Sequence, residues 1–214
     1  MQKGKLMKVI FYGDSITDAG RNYQIDFDPE HYGHGYVKYA METLMAEDPE
    51  KYVLYNRGIS GNRIVDLYAR IKSDVWNHEP DVLSILIGIN DIWHELSYKN
   101  GVELERFEKI YRMLIEDTLK RLPNLKIMLL EPFVLQGTAV DAYGIDSFNQ
   151  VKEYAKVIKK LAEEYCLTFI PLQEKFDRAA ELYGSSYLLY DGVHPDVAGA
   201  TLIANEWLNA FSKL

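Results

Sequence analysis

The chain has 214 residues and a formal net charge of -8, from 24 basic and 32 acidic side chains. That balance argues against a nucleic-acid partner, because such binding depends on clustered Lys and Arg against phosphates. Hydrophobic residues make up 48% and charged residues 26% of the chain, which predicts one globular domain over residues 1–214. No apolar run reaches membrane-spanning length and no signal-peptide segment precedes the first strand, so we expect a cytoplasmic protein without a membrane partner.

Short apolar runs alternate with longer amphipathic stretches along the chain. The apolar runs predict strands at residues 7–12, 52–55, 81–87, 126–130 and 167–170. Apolar residues at helical spacing predict helices at residues 36–45, 64–75, 104–119, 151–165 and 197–211. Ser147 and Gln150 predict a capping box before the fourth of these helices. The alternation indicates an α/β fold, a three-layer sandwich in which helices cover both faces of a central parallel sheet of about five strands.

The loops after the first three predicted strands carry polar groups at the sheet edge where such folds bind ligands. The first strand ends in Gly13-Asp14-Ser15, a tight turn that would lift Ser15 to this edge. Gly61 follows the second strand, where its backbone N–H could face a developing negative charge. Asn90 follows the third strand and offers a side-chain amide. Each feature alone is also typical of an ordinary turn or helix cap.

Asp191 and His194 lie on one short loop before the last predicted helix, and Pro195 and Asp196 predict the start of that helix. At this spacing the carboxylate can hold one imidazole nitrogen. Combined with Ser15 and two further donors at the same sheet edge, the pair completes the set of groups that acyl transfer requires.

These blocks resemble the signature of the SGNH (GDSL-like) hydrolase superfamily. Members carry a serine in a Gly-Asp-Ser turn, a glycine, an asparagine in a Gly-x-Asn-Asp block and a histidine in an Asp-x-x-His block. In this sequence those positions are Ser15, Gly61, Asn90 and His194. Ile89 stands where many members carry Gly or Thr. The stretches 13–21, 35–37, 58–62, 87–93 and 191–199 are similar to bacterial carbohydrate acetyl esterases, including intracellular acetyl-xylooligosaccharide esterases.

The resemblance implies a flavodoxin-like serine esterase that hydrolyses acetyl esters of carbohydrates such as acetylated xylo-oligosaccharides, without metal or cofactor. Ser15, Asp191 and His194 would form the catalytic triad. The backbone N–H groups of Ser15 and Gly61 and the side chain of Asn90 would form the oxyanion hole. The partner would be a small ester, and the oligomeric state, a homo-oligomer included, stays open. A thioesterase or lysophospholipase of the same superfamily and a non-catalytic sugar-binding relative remain alternatives.

Three aromatic residues near these blocks are candidates for contact with the substrate. Trp93 follows Asn90, Tyr190 precedes Asp191, and Tyr36 lies in the loop and helix after the first strand. Aromatic faces suit the C–H faces of sugar rings, and Trp and Tyr add a polar group. With 16 tyrosines in the chain, most of them must serve packing.

We expect structural roles for the other reactive side chains in the sequence. Cys166 is the only cysteine and lies at the start of an apolar run, so we expect a small buried side chain. His31 and His34 have a spacing that a metal site could use, but no obvious third ligand accompanies them, so we expect no metal site there. Asp14 and Asp18 are predicted to stabilise the turn rather than to take part in catalysis.

Overall fold

The computed structural model describes residues 6–24 and 29–214. Its centre is a parallel sheet of five strands in the order β2-β1-β3-β4-β5. The strands are β1 (Met7–Gly13), β2 (Tyr52–Gly58), β3 (Val82–Leu86), β4 (Lys126–Leu130) and β5 (Thr168–Ile170). All five predicted strands are confirmed. Strand β2 extends past its predicted end, because residues 56–58 continue to pair with residues 11–13.

Helices of very different lengths connect the strands. Within the described residues the α-helices are α1 (Ser15–Asp18), α2 (Tyr36–Glu47), α3 (Ile64–Asp74), α4 (Ile89–Tyr98), α5 (Leu104–Arg121), α6 (Thr138–Asp141), α7 (Ile145–Phe148), α8 (Val151–Glu164), α9 (Gln173–Tyr183), α10 (Ser185–Leu188) and α11 (Val197–Phe211). Two 3₁₀ helices lie at Pro29–Tyr32 and Trp76–His78. None of the helices in residues 6–24 and 29–214 is long and apolar enough to span a membrane.

The five predicted helices are confirmed as α2, α3, α5, α8 and α11, but the sequence pattern does not predict α4 or α9. Helix α9 buries only Phe176, and the other core-facing residues of its apolar stripe are the small side chains of Ala179 and Ala180, so its sequence pattern is weak. The predicted capping box is wrong. Ser147 lies inside α7 and its hydroxyl donates to the Tyr143 carbonyl at 2.7 Å. Gln150 precedes α8 without a capping hydrogen bond from its side chain.

Adjacent residues of β1 show how helices cover both faces of the sheet. The ring of Phe11 lies 4.7 Å from Trp207 of α11 and 5.9 Å from Tyr36 of α2. The next side chain points to the opposite face, where the Tyr12 hydroxyl donates to the Leu67 carbonyl of α3. Helices α2 and α11 pack together on the first face, and α3, α5 and α8 pack on the second. The predicted three-layer α/β arrangement is therefore confirmed.

The sheet order places a crevice at the carboxyl ends of β1 and β3. The chain leaves β1 for β2 on one side and returns to β3 on the other, which is the switch point where such sheets bind ligands. Gly13 pairs with Gly58 on one side and with Leu86 on the other. A Cβ at Gly13 would lie 2.4 Å from the Leu86 carbonyl oxygen, so the close approach requires glycine.

The prediction that Cys166 is buried is wrong, because its side chain is exposed. The residue lies in the tight turn between α8 and β5, with a left-handed φ of 54°. Its N–H donates to the Glu163 carbonyl at 3.3 Å as the chain reverses direction. The apolar run that suggested burial begins only after this turn.

Candidate active site

Ser15 is the first residue of α1, directly after β1. Asp14 caps this short helix, and its Oδ1 accepts a hydrogen bond from the Ile16 N–H at 3.0 Å. The turn ends at Ala19, which has a left-handed φ of 44° and whose N–H donates to the Ser15 carbonyl at 2.9 Å. The tight turn after the strand presents the Ser15 hydroxyl to the crevice.

His194 and Asp191 reach Ser15 from the loop before α11. Ser15 Oγ lies 2.8 Å from His194 Nε2, and His194 Nδ1 lies 2.7 Å from Asp191 Oδ2. The other carboxylate oxygen of Asp191 accepts from the N–H groups of Val193 at 2.9 Å and of His194 at 2.7 Å. The structure therefore brings the three predicted residues into one hydrogen-bonded chain.

The Asp191 carboxyl is partly buried, and burial by itself would raise its pKa. Hydrogen bonds from the His194 ring, the His194 backbone and the Val193 backbone outweigh burial and hold the pKa of Asp191 below its ordinary value. The carboxylate therefore stays ionised at neutral pH, the state in which it can orient an imidazole and stabilise its protonated form.

A neighbouring segment supports the Asp191 loop through two backbone hydrogen bonds. The Leu135 N–H donates to the Gly192 carbonyl and the Ala139 N–H to the Asp191 carbonyl, each at 2.9 Å. Gly137 makes this approach possible, because a Cβ there would lie 2.3 Å from backbone atoms of Asp191 and Gly192. The position of the carboxylate thus depends on the segment that runs into α6.

The two further predicted donors line the same cavity as Ser15 and His194. Gly61 has a left-handed φ of 80° in the loop between β2 and α3. Asn90 is the second residue of α4, and its Nδ2 donates to the Asn62 carbonyl at 3.1 Å. An amide group has two N–H donors, so this bond orients the Asn90 side chain and leaves the second N–H available.

The cavity has a volume of about 640 Å³ at the carboxyl edge of the sheet. It is lined by Ser15, Ala19, Gly20, His34, Ser60, Gly61, Asn90, Trp93, His94, Ser97, Tyr98, Tyr143, Tyr190 and His194. Two of the three predicted aromatic residues are among these. The Tyr190 ring is stacked on the His194 ring at 5.7 Å, and the Trp93 ring lies 5.9 Å from it.

The prediction that Tyr36 contacts substrate is wrong. Tyr36 is the first residue of α2, and its side chain is fully buried in the core. Its hydroxyl lies 3.1 Å from the Thr17 hydroxyl, and its ring packs edge-on against Phe11. Burial raises the pKa of Tyr36 above its ordinary value. Tyr36 therefore packs beneath the turn that carries Ser15 and does not face the cavity.

One face of α4 lines the cavity, and most of this face was not predicted from the sequence. Successive cavity residues on this helix follow the spacing i, i+3, i+4, i+7 and i+8. They are Asn90, Trp93, His94, Ser97 and Tyr98. Recognition of 89–98 as a helix would have revealed this face, because a helix that carries Asn90 inward must carry these residues with it.

Two further lining residues, His34 and Tyr143, were not predicted to lie at the site. The Tyr143 hydroxyl lies 2.8 Å from the Ser97 hydroxyl, so a hydrogen bond joins the turn before α7 to α4 at the cavity. On α4, burial first and the nearby Arg63 second lower the pKa of His94. His94 therefore contributes a neutral ring to the α4 face of the cavity at neutral pH.

Two carboxyl groups lie buried behind the serine and the asparagine. Burial raises the pKa of Asp14 to about 7, and within the described residues its Oδ2 has no hydrogen-bond partner. Burial also raises the pKa of Asp91 to about 8, although Asp91 accepts a hydrogen bond from the Ile64 N–H that opens α3. Isolated charge is costly at both positions, which favours the protonated carboxyls.

The described residues contain no group of three or more His, Cys, Asp or Glu side chains arranged to hold a metal ion. His31 is fully buried, and its Nε2 accepts from the Asn56 N–H at 3.2 Å. His34 lies apart at the cavity wall, against Gly20. The two histidines therefore have separate surroundings.

Comparison with known proteins identifies the family. A family model described as GDSL-like lipase/acylhydrolase matches residues 11–202. The chain belongs to this family. An acetylxylan esterase from Geobacillus stearothermophilus is 36% identical over 220 aligned residues, which are 97% of this chain and 95% of that protein. As a GDSL-like acylhydrolase, the chain is a carboxylic ester hydrolase, which confirms the predicted enzyme class.

Solved structures of similar proteins share the complete fold of this GDSL-like hydrolase. A candidate GDSL-like lipase from Parabacteroides merdae has a TM-score of 0.91 and 39% identity, covering 97% of this chain and 96% of that one. Axe2, an acetylxylan esterase from Geobacillus stearothermophilus, has a TM-score of 0.84 and 35% identity, covering 98% and 96%. Both the family and the α/β fold that the sequence predicted are thus confirmed.

Proposed function

We propose that this GDSL-like hydrolase is a serine acetyl esterase that acts on acetylated carbohydrates, with Ser15, His194 and Asp191 as its triad. The observation that carries the proposal is the hydrogen-bonded chain from Ser15 through His194 to Asp191, with distances of 2.8 and 2.7 Å, open to one cavity. A nucleophile, a base and a group that orients the base are the elements of acyl transfer.

In the proposed mechanism, His194 removes the proton from Ser15 as the hydroxyl oxygen attacks the ester carbonyl. The backbone N–H groups of Ser15 and Gly61 and the Asn90 side chain stabilise the oxyanion. Collapse of the tetrahedral intermediate expels the alcohol, which takes the proton from His194 and leaves Ser15 acylated. A water molecule, deprotonated by His194, then attacks the acyl-enzyme, and the acid leaves as Ser15 regains its proton. No step needs a metal or a redox cofactor.

The names of similar proteins support an acetyl group on a carbohydrate. The Geobacillus relative is an acetylxylan esterase, and a variant of it is also described as an acetyl-xylooligosaccharide esterase. Two further solved structures are described as catalytic mutants of that enzyme. In this chain, the cavity combines the aromatic rings of Trp93, Tyr143 and Tyr190 with the polar groups of Ser97 and His94. Such a mixture suits a sugar, which presents C–H faces edged by hydroxyls.

Replacement of the nucleophile tests the chemistry. Ser15→Ala should lower kcat on an aryl acetate by several orders of magnitude while the folded structure persists, because triad members act as a unit. An organophosphonate probe should label the wild type at Ser15 and leave the variant unlabelled. Ser73→Ala, at an exposed position of α3, is the matched control and should retain both activity and labelling. Substantial esterase activity of purified Ser15→Ala would contradict the triad.

The acyl preference tests the substrate. Aryl acetate, propionate, butyrate and octanoate should give kcat/KM values that fall beyond propionate, and acetylated xylose and xylo-oligosaccharides should be deacetylated. A lipid-directed enzyme would behave in the opposite way, because each buried CH₂ contributes about 0.8 kcal/mol. Preference for octanoate together with no deacetylation of any sugar would indicate the lysophospholipase or thioesterase alternative.

A further inference from the structure

Asp18 lies at the end of α1, almost fully buried, beneath the loop that carries Gly61. Its Oδ2 accepts from the Ser60 N–H at 2.9 Å and from the Ser60 hydroxyl at 2.7 Å. The same oxygen accepts from the Tyr23 hydroxyl, and Oδ1 accepts from the Arg21 N–H at 3.1 Å. The carboxylate is therefore fully engaged within the protein and does not line the cavity, unlike the residues of the proposed triad.

These bonds join the two loops that would supply backbone oxyanion donors. Asp18 belongs to the same helical turn as Ser15, while Ser60 immediately precedes Gly61 in the loop after β2. Both the N–H and the hydroxyl of Ser60 bind one carboxylate oxygen, which restricts rotation of the chain just before Gly61. Asp18 therefore holds the residue that immediately precedes Gly61.

The base of the same loop is held by further contacts that do not involve Ser60. A Cβ at Gly58 would lie 2.2 Å from the Asp18 N atom, so the backbones are in close contact. The Asn56 side chain donates to the Thr17 carbonyl at 2.7 Å. The Arg21 Nε donates to the Gly58 carbonyl at 2.7 Å. These contacts keep the base of the loop in place, so loss of the Ser60 contacts should affect mainly its tip.

We propose that Asp18 is a positioning residue that sets the Gly61 N–H against the Ser15 N–H, so that the two backbone donors meet one oxyanion. The inference rests on the proposed function, since it assumes these two donors. Oxyanion donors act through preorganisation, and they must lie within about half an ångström of the productive geometry to stabilise charge in the transition state. A carboxylate with two hydrogen bonds to Ser60 provides that rigidity, because hydrogen bonds to charged groups are stronger than neutral ones.

Two variants of the full chain test this positioning. Asp18→Asn removes the charge, and Ser60→Ala removes one of the two loop contacts while Asp18 stays in place. The expected result is a fall in kcat on aryl acetate, by roughly 10- to 100-fold for Asp18→Asn and about fivefold for Ser60→Ala, with KM nearly unchanged. The affinity for phenylboronic acid, whose tetrahedral adduct places an oxygen among the donors, should fall by a similar factor in each variant.

Ser73→Ala is the matched control, because it removes a serine hydroxyl from an exposed position of α3, away from the Gly61 loop. Its kcat and boronate affinity should both stay close to wild type. Wild-type kcat and boronate affinity in folded Ser60→Ala and Asp18→Asn would overturn the positioning role. If Asp18→Asn does not fold, Ser60→Ala decides alone. Failure of the proposed function has a different signature, retention of activity by Ser15→Ala.

Discussion

At the scale of single residues, Asn90 shows how a modest sequence feature acquires a sharp geometry. An Asn after a strand is typical of a helix cap. In the structure it lies within the first turn of α4, and one of its amide N–H groups is bound to the Asn62 carbonyl. The side chain is therefore oriented before any substrate arrives, which is the condition for efficient stabilisation of charge in a transition state.

Removal of this amide should affect the transition state more than substrate binding. Asn90→Ala should lower kcat by roughly 10²- to 10³-fold, the usual cost of one oxyanion donor, while KM changes little. Steady-state kinetics on an aryl acetate measure both constants. Asn205→Ala, an exposed position on α11, is the control and should leave them unchanged. A raised KM with unchanged kcat would instead make Asn90 a residue that only binds the substrate.

At the scale of elements, α4 and the segment before α6 shape the site from two sides. Helix α4 supplies a continuous wall of the cavity, and the Ser97–Tyr143 hydrogen bond connects that wall to the turn before α7. The segment before α6 supports the Asp191 loop through backbone contacts at Gly137. Neither element contributes a residue of the proposed triad, yet both limit where the triad and its substrate can lie.

Gly137→Ala tests this support. The added Cβ would collide with backbone atoms of Asp191 and Gly192, so the segment must move and the carboxylate must lose its alignment with His194. We expect kcat to fall by about tenfold or more, since small misplacements in an active site are costly. Steady-state kinetics on an aryl acetate measure kcat, and circular dichroism checks that the variant is folded.

Gly184→Ala is the matched glycine control. Gly184 has a φ of 86° and no atom within 4 Å of an added Cβ, so alanine there strains the backbone without a collision. With a ψ of 148°, this backbone conformation is essentially restricted to glycine, so the variant should lose roughly 1–3 kcal/mol of stability and keep its kcat unchanged. Equal loss of kcat in both variants would show that lowered stability, and not the contact with Asp191, reduces activity.

At the scale of the whole molecule, the buried carboxyls link stability to pH. The folded-state pKa of Asp14, about 7, lies above the ordinary value of an aspartate because burial disfavours its charge. A raised folded-state pKa means that the folded protein binds the proton more tightly than the unfolded chain. The contribution of Asp14 to stability is therefore complete at acid pH and is lost as the pH rises through about 7.

Asp14→Asn should make this loss visible, because Asn resembles the protonated carboxyl and can still accept from the Ile16 N–H. The variant should gain stability relative to wild type as the pH rises from about 4 to about 7, by up to about 1.4 kcal/mol per pH unit, and the difference should then level off. Urea unfolding at pH 5, 6, 7 and 8 measures the difference. A constant difference across this series would contradict a raised pKa of Asp14.

The sequence alone determined the strands, five of the longer helices, the sheet architecture and the family, because each depends on local patterns. Apolar runs specify buried strands, and the glycine turns mark the loops at the sheet edge. The four motif blocks were recognisable without the structure, although Ser15 and His194 are 179 positions apart. A catalytic motif can be recognised in the sequence because only a few residue types can perform each chemical role.

The tertiary structure decided what surrounds each side chain. Tyr36 and Tyr190 are both tyrosines close to the motif blocks in sequence. Tyr36 is buried in the core against Phe11, whereas Tyr190 is exposed and stacks on the His194 ring. Asp18 has the character of a turn residue in sequence, and its contact with Ser60 joins positions 42 residues apart. Burial, pKa and alignment depend on neighbours that only folding brings together, and no local pattern encodes those neighbours.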